Sequence, residues 1–528
     1  MMRKLREYRD GNVGVGWVLA AEGEGEHEHP GSRWKSRKGN FIPMVAVFVF
    51  TVMFCFSLVM KTRGTFSSVY TYDRNLEQDL SPPREHPYDD DGKEFSKWPE
   101  DWQSMLPGAL EHEAFFCDRH HIRTDVCRLH GNVHLEPDGK FVLHSEADTT
   151  PIGHTTVKPY TRKWEKNCMQ TVEDVKLESV RSSGNGNSSS TAVCNVRHSV
   201  PAVVFSTSGY TGNVYHEFHD GMIPLYITTQ HLNREVVLIV SDFHDWWLEK
   251  YADILQQLTN YEILDLRNLT GTHCFSDVTV GLFIHEELSI TPSIMPQGKS
   301  MRDFRALLDR AFNGDVHWAP GDINAFTPVQ AKHHQTKVMS ELVIIVREGT
   351  RILLDLDKVV NLATSIGFNV VLLKPNPRIE LKKLFWVLSK ADVVMGVHGA
   401  AMSHFLFMNP GKVLIQVVPL GTDWAANTYY GGPAEKMGLQ YIPYKITPEE
   451  STLSKKYSKD DPILTDPDSV GKQGWDVIKE IYLEGQDVEL SLPRFQKTLE
   501  EAKQRSMQGA TPHQENLSKL SRRYGRAR

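Results

Sequence analysis

A histidine flanked by glycines follows an apolar run in the second half of the chain. The run 393–397 leads into Gly396-Val-His398-Gly399-Ala400-Ala401, and a helix is expected to begin near Ala400. Glycines let the backbone turn sharply and let an anion approach, and the first amides of a helix favour a diphosphate. His398 could donate a hydrogen bond to the phosphate or to the leaving oxygen. This glycine turn, residues 396–401, predicts a diphosphate site, but a plain strand–helix turn capped by His398 would fit the same pattern.

Two arginines follow a second apolar run, in Val346-Arg347-Glu348-Gly349-Thr350-Arg351. A guanidinium stays charged and pairs bidentately with phosphate oxygens. Arg347 and Arg351 are therefore candidates for the same diphosphate, at the same edge of a sheet as the glycine turn. A solvated surface loop is the competing interpretation, and the presence of two anion-binding patterns at one edge weakens it.

Acidic and imidazole side chains crowd a third segment, residues 206–220, which reads STSGYTGNVYHEFHD. A helix is expected to begin near Asn213 or Val214, which would place His216 and Asp220 on one helical face. Either group could take a proton from a substrate hydroxyl. A zinc site is an alternative, although the spacing is not H-E-x-x-H, and a polar helix surface is the plainest one.

Short aliphatic runs indicate the elements that position these residues. Continuous apolar runs are typical of parallel strands with both faces covered, and helical stretches are predicted at 353–366 and 380–391. The alternation is clearest from 342 to 420 and indicates a doubly wound α/β sheet, with a ligand crevice beyond the carboxyl ends of its strands. The predicted strands are 202–205, 236–240, 342–346, 369–373, 393–397 and 413–418.

An uncharged apolar segment lies near the N-terminus. Residues 41–60 read FIPMVAVFVFTVMFCFSLVM, which is long enough to cross a bilayer and longer than the core of a cleaved signal peptide. A buried core helix is the alternative. The slight excess of Lys and Arg before the segment places residues 1–40 in the cytosol and the rest of the chain in a lumen. Residues 61–110 are expected to form a poorly ordered stem, and residues 501–528 a polar basic tail; the chain is expected to fray from about residue 494.

The composition is that of a globular protein with a net charge of −7, so no general basic field exists and nucleic acid is not an expected partner. A lumenal location agrees with three glycosylation acceptor sequences, at Asn187, Asn268 and Asn516. Outside the apolar segment there are five cysteines. Pairing Cys117 with Cys127 and Cys168 with Cys194, which leaves Cys274 unpaired, is one possible scheme, and the sequence does not fix it. Five reduced core cysteines are the alternative.

Several longer segments resemble glycosyltransferase family 61 of plants, over roughly residues 115–500. They are VVFSTSGYTGNVYHEFHDGMIPLYIT, HCFSDVTVGL, MGVHGAAMSHFLFMNPG, PLGTDWAANTYYGGPA, YKITPEESTL and KDDPILTDPDSV. That family comprises Golgi type II membrane proteins, including xylan arabinosyltransferases and xylosyltransferases. The resemblance implies a GT-B architecture with two facing Rossmann-like, doubly wound domains, at 111–330 and 331–500. It also implies inverting transfer from a UDP-sugar, usually without a bound metal.

The resemblance assigns roles to the candidate residues. A UDP-pentose would bind the second domain, with Asp423 and Trp424 near the nucleoside or the sugar. A xylan-type acceptor would lie against the first domain, with His216 or Asp220 as the base. One departure is Glu348, where plant relatives often carry a neutral polar residue. The groups expected to hold the diphosphate are Arg347, Arg351, His398, Gly399, Ala400 and Ala401.

Two further patterns could bear on function. Asp355-Leu-Asp357 has the D-x-D form of metal-dependent sugar transferases, but it precedes an amphipathic run and favours a helix start. The stripe of Trp246, Trp247 and Tyr251 is more typical of a core than of a sugar platform. We therefore expect no metal and no cofactor besides the UDP-sugar.

Other function classes remain open at this point. They are a β-1,2-xylosyltransferase acting on N-glycans, a lumenal binding protein that has lost catalysis, and a membrane-anchored hydrolase. The hydrolase is disfavoured because the chain contains neither G-x-S-x-G nor H-E-x-x-H. The donor sugar, the linkage and the oligomeric state, homo- or hetero-oligomer, stay undetermined.

Overall fold

The computed structural model describes residues 114–145, 153–181, 193–317, 325–329 and 339–509. The predicted tail, membrane segment and stem lie outside these ranges, as do Asn187 and Asn516. Within the described ranges, no helix combines the length and apolar character that a membrane crossing needs. Asn268 is exposed next to a short strand, so it is accessible as a glycosylation acceptor.

The first sheet has ten strands. Its path runs β4-β5-β3-β2-β10-β7-β8-β9, with β1 paired to β2 and β6 paired to β10. The strands are β1 (Phe115–Asp118), β2 (Val126–Leu135), β3 (Phe141–Ser145), β4 (Gly153–Val157), β5 (Val175–Arg181), β6 (Val196–Arg197), β7 (Ala202–Phe205), β8 (Val237–Val240), β9 (Leu264–Asp265) and β10 (His273–Val280).

The first sheet is mixed rather than doubly wound throughout. Strands β10, β7, β8 and β9 pair in parallel, whereas β2 pairs antiparallel with β1, β3 and β10, and β4 with β5. Parallel neighbours need crossover connections of a dozen or more residues. Between β1 and β5 the described residues contain a single four-residue helix, Lys166–Met169, so this half is largely antiparallel. The expectation of a doubly wound first sheet holds only for its parallel half.

The second sheet has six strands in the order β11-β13-β12-β14-β15-β16. All neighbours are parallel except β11, an antiparallel edge strand. Six strands were predicted from the sequence, two of them in the first sheet and four in the second. Of these, β7, β14 and β15 have the predicted bounds, and the others differ by one or two residues. Strand β11 precedes the predicted domain boundary at 330 but pairs with this sheet. The strands are β11 (Phe326–Val329), β12 (Ser340–Ile345), β13 (Phe368–Leu373), β14 (Val393–Val397), β15 (Val413–Val418) and β16 (Gln440–Lys445).

Helices cover the sheets. The two predicted ones are found at Leu356–Ile366 and Leu381–Lys390; Asp355 of the D-x-D sequence is the residue before the first, and its carboxylate contacts Lys358. The other α-helices are Val214–His216, Ile223–Thr229, Asp245–Leu255, Met301–Ala311, Asp423–Ala426, Gly432–Lys436, Pro462–Thr465, Pro467–Gly471, Trp475–Ile478 and Leu492–Gly509. Segments of 3₁₀-helix are Gln230–Leu232, Pro292–Ile294, Pro296–Gly298, Ala400–Phe407, Pro448–Glu450 and Thr452–Lys455, and π-helical segments are Glu217–Met222, Asn427–Gly431 and Lys479–Glu484.

One hydrophobic cluster lies between the two sheets and contains side chains from both, such as Val203 and Val343. Their neighbours in sequence, Val204 and Ile344, belong to separate clusters on the outer faces of the two sheets. This alternation is the period of two that a strand imposes. The helices between the sheets therefore connect the two halves through one continuous core.

The prediction of a frayed end from about residue 494 is wrong up to residue 509. Phe495, Leu499 and Ala502 are fully buried in the outer cluster of the second sheet. Their spacing of four and three residues forms one apolar stripe on the helix Leu492–Gly509. Burial of that stripe holds the helix on the sheet, although most residues around it are polar.

The cysteines pair partly as expected. Cys117 and Cys127 lie opposite each other in β1 and β2 and form a disulfide, as in the scheme above. The second bond joins Cys194 to Cys274, so the Cys168–Cys194 pairing and the unpaired Cys274 were wrong. Cys168 is buried beside Tyr160 and Val172. The bond to Cys274 fastens the segment before β6 to the central strand β10.

Candidate functional site

The candidate donor residues lie at the carboxyl ends of three adjacent parallel strands. Arg347 follows β12, His398 follows β14, and Asp423 follows β15. Strand β13 lies on one side of β12, and β14 and β15 lie on the other, so the strand order reverses between β12 and β14. Ligands in open α/β sheets bind in the crevice at such a switch point.

Two glycines of the glycine turn are in close contact with neighbouring side chains, and Gly399 also has a backbone conformation that favours glycine. Gly399 has φ +151°, and a Cβ there would lie 2.1 Å from a terminal nitrogen of Arg347. A Cβ at Gly396 would lie 2.6 Å from the sulfur of Met402. The helix Ala400–Phe407 therefore packs tightly on β14, and the guanidinium of Arg347 lies directly over the backbone of the turn.

The tautomer of His398 is set by its neighbours. The amide nitrogen of Gln416 is 2.8 Å from His398 Nδ1, and the hydroxyl of Tyr441 donates to the amide oxygen of Gln416 at 2.6 Å. With this amide orientation Nδ1 accepts, so Nε2 carries the hydrogen. Burial, followed by the charges of Arg351 and Arg347, holds the pKa of His398 well below its usual value. His398 is therefore a neutral imidazole that presents an N–H donor.

Three polar atoms at this point are buried and make no well-formed hydrogen bond among the described residues, although the side chains of Ser403 and Tyr430 lie close to each other. They are Nε2 of His398, the hydroxyl of Ser403 and the hydroxyl of Tyr430. All three side chains are fully buried, and the rings of His398 and Tyr430 are 5.3 Å apart. Because leaving such a group unpaired costs about 1–3 kcal/mol, a cluster of three indicates a place for a polar ligand.

Asp423 and Trp424 lie at the outer rim of this region. Both are exposed, and Asp423 pairs with Lys445 Nζ at 2.5 Å. The ring of Trp424 meets Tyr429 edge-on at 5.5 Å. Glu348, the residue that departs from the family pattern, has a side chain that is 80% exposed and 3.9 Å from Lys374 Nζ. Its charge is therefore solvated and lies outside the buried pair of arginines.

The other candidate segment is a continuous helical stretch, residues 214–229. It begins at Val214, within the predicted range, and Asn213 caps it by accepting from the amide of Tyr215. Its second segment, Glu217–Met222, is π-helical. Such wide turns are rare and often occur at functional sites. This turn directs His216, His219 and Asp220 into the interior, where all three are buried.

His216 and Asp220 are in direct contact. Nδ1 of His216 is 2.7 Å from Oδ2 of Asp220, and Nε of Arg162 is 3.0 Å from both carboxylate oxygens. Favourable interactions with Arg162, His219 and His216 outweigh burial and lower the pKa of Asp220. Asp220 is thus an anion beside the imidazole; Nδ1 of His216 lies 2.7 Å from its carboxylate and 3.2 Å from Arg162 Nη2, and we assign Nδ1–H as a donor to the shorter contact.

More charged groups extend this arrangement. Glu287 contacts Arg123 at 2.5 Å and His219 Nε2 at 2.9 Å, and it accepts from the hydroxyl of Tyr215. The pKa of Glu287 is lowered mainly by Arg123 and His219, against the opposing effect of burial. We call this set the buried charge cluster; it consists of Arg123, Arg162, His216, His219, Asp220 and Glu287.

We call Arg347, Arg351, the glycine turn with His398, Ser403 and Tyr430 the donor region. Aromatic rings join the buried charge cluster to this donor region. The ring of Tyr215 is 5.4 Å from Tyr429 and 6.2 Å from Tyr430, and Tyr430 in turn contacts His398. Tyr429 and Tyr430 are carried by the π-helical segment Asn427–Gly431. The structure therefore brings the residues predicted from three separate segments to one boundary between the two sheets.

Comparisons with known proteins agree with this arrangement. The family model of Glycosyltransferase 61 matches residues 214–415. The xylan glycosyltransferase MUCI21 of Arabidopsis thaliana is 44% identical over 76% of this chain and 81% of its own length. The chain belongs to glycosyltransferase family 61.

Two other members are more distant. The rice (Oryza sativa subsp. japonica) α-1,3-arabinosyltransferase XAT3 is 34% identical over 73% of this chain, which spans 64% of that relative. The rice β-1,2-xylosyltransferase XYXT1 is 33% identical over 72% of this chain and 82% of its own length. The predictions of family and of a glycosyltransferase are confirmed.

The donor region of this family 61 protein is closed in the structure. His398 has no exposed surface, and Arg347 and Arg351 are 9% and 4% exposed. The segments that follow β12 and β15 do have exposed residues, among them Gly349 and Trp424.

A cavity of about 260 Å³ lies elsewhere, beside the first sheet, and Arg119, Asp125, Lys158, Lys163 and Asp174 are among its lining residues. Each of its cations contacts a carboxylate, so its charges are already balanced. In the described part of the chain, no group of three or more His, Cys, Asp or Glu side chains has a metal-binding arrangement. Metal-independent transfer stays a prediction.

Sequence reasoning missed the partners of the predicted groups. Arg162 is 54 residues from His216 along the chain, in a segment with no marked pattern. Tyr430 and Ser403 lie inside the segments that resemble the family, but nothing in their spacing indicates that their hydroxyls meet. Only Glu287, in HEELS, carried a visible hint, since two adjacent carboxylates in an apolar stretch are unusual.

Proposed function

We propose that this protein is an inverting pentosyltransferase that moves arabinofuranose or xylose from a UDP-sugar to a xylan-type polysaccharide. The observation that carries the proposal is the 44% identity to a xylan glycosyltransferase over most of both chains. Relatives named as arabinosyltransferases and as xylosyltransferases match at similar identity, so the two pentoses are tested side by side.

We further propose a GT-B type architecture, with the donor on the second sheet and the acceptor on the first. Support comes from the switch point between β12 and β14 and from the core that the two sheets share. The antiparallel half of the first sheet is then an addition to a four-stranded parallel unit. As in the relatives' family, a Golgi membrane location with the enzyme facing the lumen follows from the apolar segment 41–60.

In this proposal the glycine turn and the loop after β12 bind the diphosphate. Arg347 and Arg351 neutralise its charge, and the amides of Gly399, Ala400 and Ala401, together with His398 Nε2–H, donate hydrogen bonds. Asp423 and Trp424, at the exposed rim, face the nucleoside or the sugar. Donors that are fixed before the reaction stabilise charge as it develops on the leaving group.

The buried charge cluster supplies the base. The acceptor hydroxyl oxygen forms a bond to the anomeric carbon while the bond from that carbon to the β-phosphate oxygen breaks. The electron pair leaves with the diphosphate, and the hydroxyl proton moves to His216 Nε2. Asp220 holds Nδ1–H and stabilises the imidazolium that forms, which is the role of the carboxylate in catalytic triads. Attack from the face opposite the leaving group inverts the configuration.

The test is transfer by the full-length chain purified in detergent. The protein is incubated with UDP-arabinofuranose, UDP-xylose or UDP-glucose and xylan oligomers, and product mass and linkage are determined. We expect one added pentose of inverted configuration from one of the two pentose donors, and no product from UDP-glucose. Transfer to an N-glycan but not to xylan, or no measurable affinity for UDP, would reject the proposal.

A further inference from the structure

We propose that the hydroxyl groups of Tyr430 and Ser403 bind the β-phosphate of the donor nucleotide, beside His398. The inference rests on the proposed function, since it adds two residues to the donor site. It goes beyond the charged groups and backbone amides that the sequence indicated, and it assigns the part of the ligand that the two residues touch.

The first support is the cluster of buried hydroxyls. Tyr430 and Ser403 are both fully buried, and among the described residues the only polar neighbour that their hydroxyls share is each other. Ser403 is close to the phenol and lowers its pKa. A bond between the two hydroxyls would satisfy one donor only, because one hydrogen would still need an acceptor, as would Nε2–H of His398.

The second support is the geometry of the helix after the glycine turn. Ala400–Phe407 is a 3₁₀-helix, in which residues three apart are eclipsed. Ser403 therefore lies on the same face as Ala400, the residue whose amide is the first candidate donor to the diphosphate. The side chain of Ser403 thus lies one turn beyond the free amides at the start of this helix.

The third support is the charge around Tyr430. Arg347 and Arg351 are near enough to lower the pKa of the phenol, although burial is the larger effect and raises it above its usual value. The phenol therefore stays protonated and acts as a donor. Two guanidinium groups, an imidazole N–H and two hydroxyls converge where three strands end, a set that suits a dianionic phosphate.

The position of Tyr430 selects the β-phosphate. Its ring lies between His398 of the donor region and Tyr215, which borders the buried charge cluster. The reacting bond must lie between these two regions, because the leaving oxygen belongs to one and the base to the other. The phosphate that carries the leaving oxygen is the β-phosphate, so the donor nearest the boundary contacts it.

The experiment compares Tyr430→Phe and Ser403→Ala with a matched control in the full-length protein. Tyr251 is also fully buried with an unpartnered hydroxyl, but it packs on Trp247 in the core of the first half. Tyr251→Phe thus removes the same atom from the same kind of site. Calorimetric Kd values are measured for UDP and for UMP, which lacks the β-phosphate.

We expect Tyr430→Phe and Ser403→Ala each to weaken UDP binding about 10-fold or more, with UMP binding within about two-fold of wild type. Tyr251→Phe should bind both nucleotides as wild type does, and all three variants should melt at wild-type temperature or above. Equal weakening for UMP and UDP would overturn the assignment to the β-phosphate, and equal weakening in Tyr251→Phe would overturn the site.

The two proposals fail in different ways. If wild type binds UDP and His398→Ala does not, while Tyr430→Phe and Ser403→Ala bind as wild type does, then only this inference is rejected. If wild type shows no affinity for UDP, the proposed function is rejected together with it.

Discussion

The buried charge cluster and the donor region differ in how far the protein satisfies their polar groups by itself. In the cluster, each carboxylate is in contact with cations: Asp220 with Arg162, and Glu287 with Arg123. In the donor region, Nε2 of His398 has no acceptor among the described residues, and the adjacent hydroxyls of Ser403 and Tyr430 leave one hydrogen unpaired even if they bond to each other. Both regions are equally buried, so depth does not explain the difference.

This difference in pairing indicates how each region depends on a ligand. Removing one partner from a buried ion pair costs about 3–5 kcal/mol, so the cluster is a stiff frame that holds His216 in one orientation whether or not substrate is present. Unpaired buried donors destabilise the protein until an acceptor arrives. If this region binds the diphosphate as proposed, the anion supplies the missing acceptors, and nucleotide binding is expected to stabilise the fold.

The largest effect should come from the base. We expect His216→Ala to lower kcat by about 10²–10⁴-fold and Asp220→Asn to lower it to a similar extent, because the wrong tautomer is then favoured. UDP affinity should remain that of wild type in both, since the donor region is separate. Transfer kinetics and UDP calorimetry measure the two quantities.

His120→Ala is the control for these variants, because its side chain is 95% exposed and its loss should change neither quantity. Loss of UDP binding in both His216→Ala and Asp220→Asn would show that the buried charge cluster and the donor region are not independent.

Variants in the donor region should reduce the transfer rate less than the variants of the base, and they should also weaken UDP binding. His398→Ala removes one neutral donor and should lower transfer about 10²-fold. Arg351→Ala should weaken UDP binding as well, since it removes a charge that pairs with phosphate. Both proteins should stay folded by circular dichroism, and Arg378→Ala, at an exposed position, is the matched control. Near-normal turnover in either variant would contradict the assigned site.

The same contrast shows how much the sequence could predict. The strands β7, β14 and β15 have the predicted bounds because they are buried on both faces and read as continuous apolar runs. Strands such as β5, with burial that alternates along VKLESVR, were missed because half of their residues are polar. Local patterns also indicated the contact of His216 with Asp220, four residues apart.

The rest depends on contacts between distant segments. Arg162 reaches Asp220 from 58 residues away, and Cys194 pairs with Cys274 across 80 residues. No local rule specifies such pairs, because they depend on how distant segments of the chain pack together in the first half of the molecule. The glycine turn was found because its residues are contiguous, whereas the nearby phenol of Tyr430 comes from a segment about 30 residues further along the chain.

The smallest expected effect concerns Glu217, which lies next to His216 but outside the buried charge cluster. Its carboxylate accepts from the amide of Gly212 and from Trp247 Nε1, each at 2.6 Å. Burial outweighs these bonds and raises the pKa of Glu217 to about 7. The folded state therefore holds this proton more tightly than the unfolded state, so its contribution to stability is present below about pH 4.5 and is lost as the pH rises through about 7.

Glu217→Gln keeps an acceptor for Gly212 but cannot titrate. Urea unfolding of wild type and variant at pH 5 and pH 8 should show a loss on the order of 2 kcal/mol in wild type at the higher pH, and a smaller loss in the variant. Lys250→Met, which removes the nearest cation that favours the charged form, should enlarge the loss. If the free energy of unfolding has the same pH dependence in wild type and Glu217→Gln, then Glu217 is ionised in the folded protein, as the carboxylates of the buried charge cluster are.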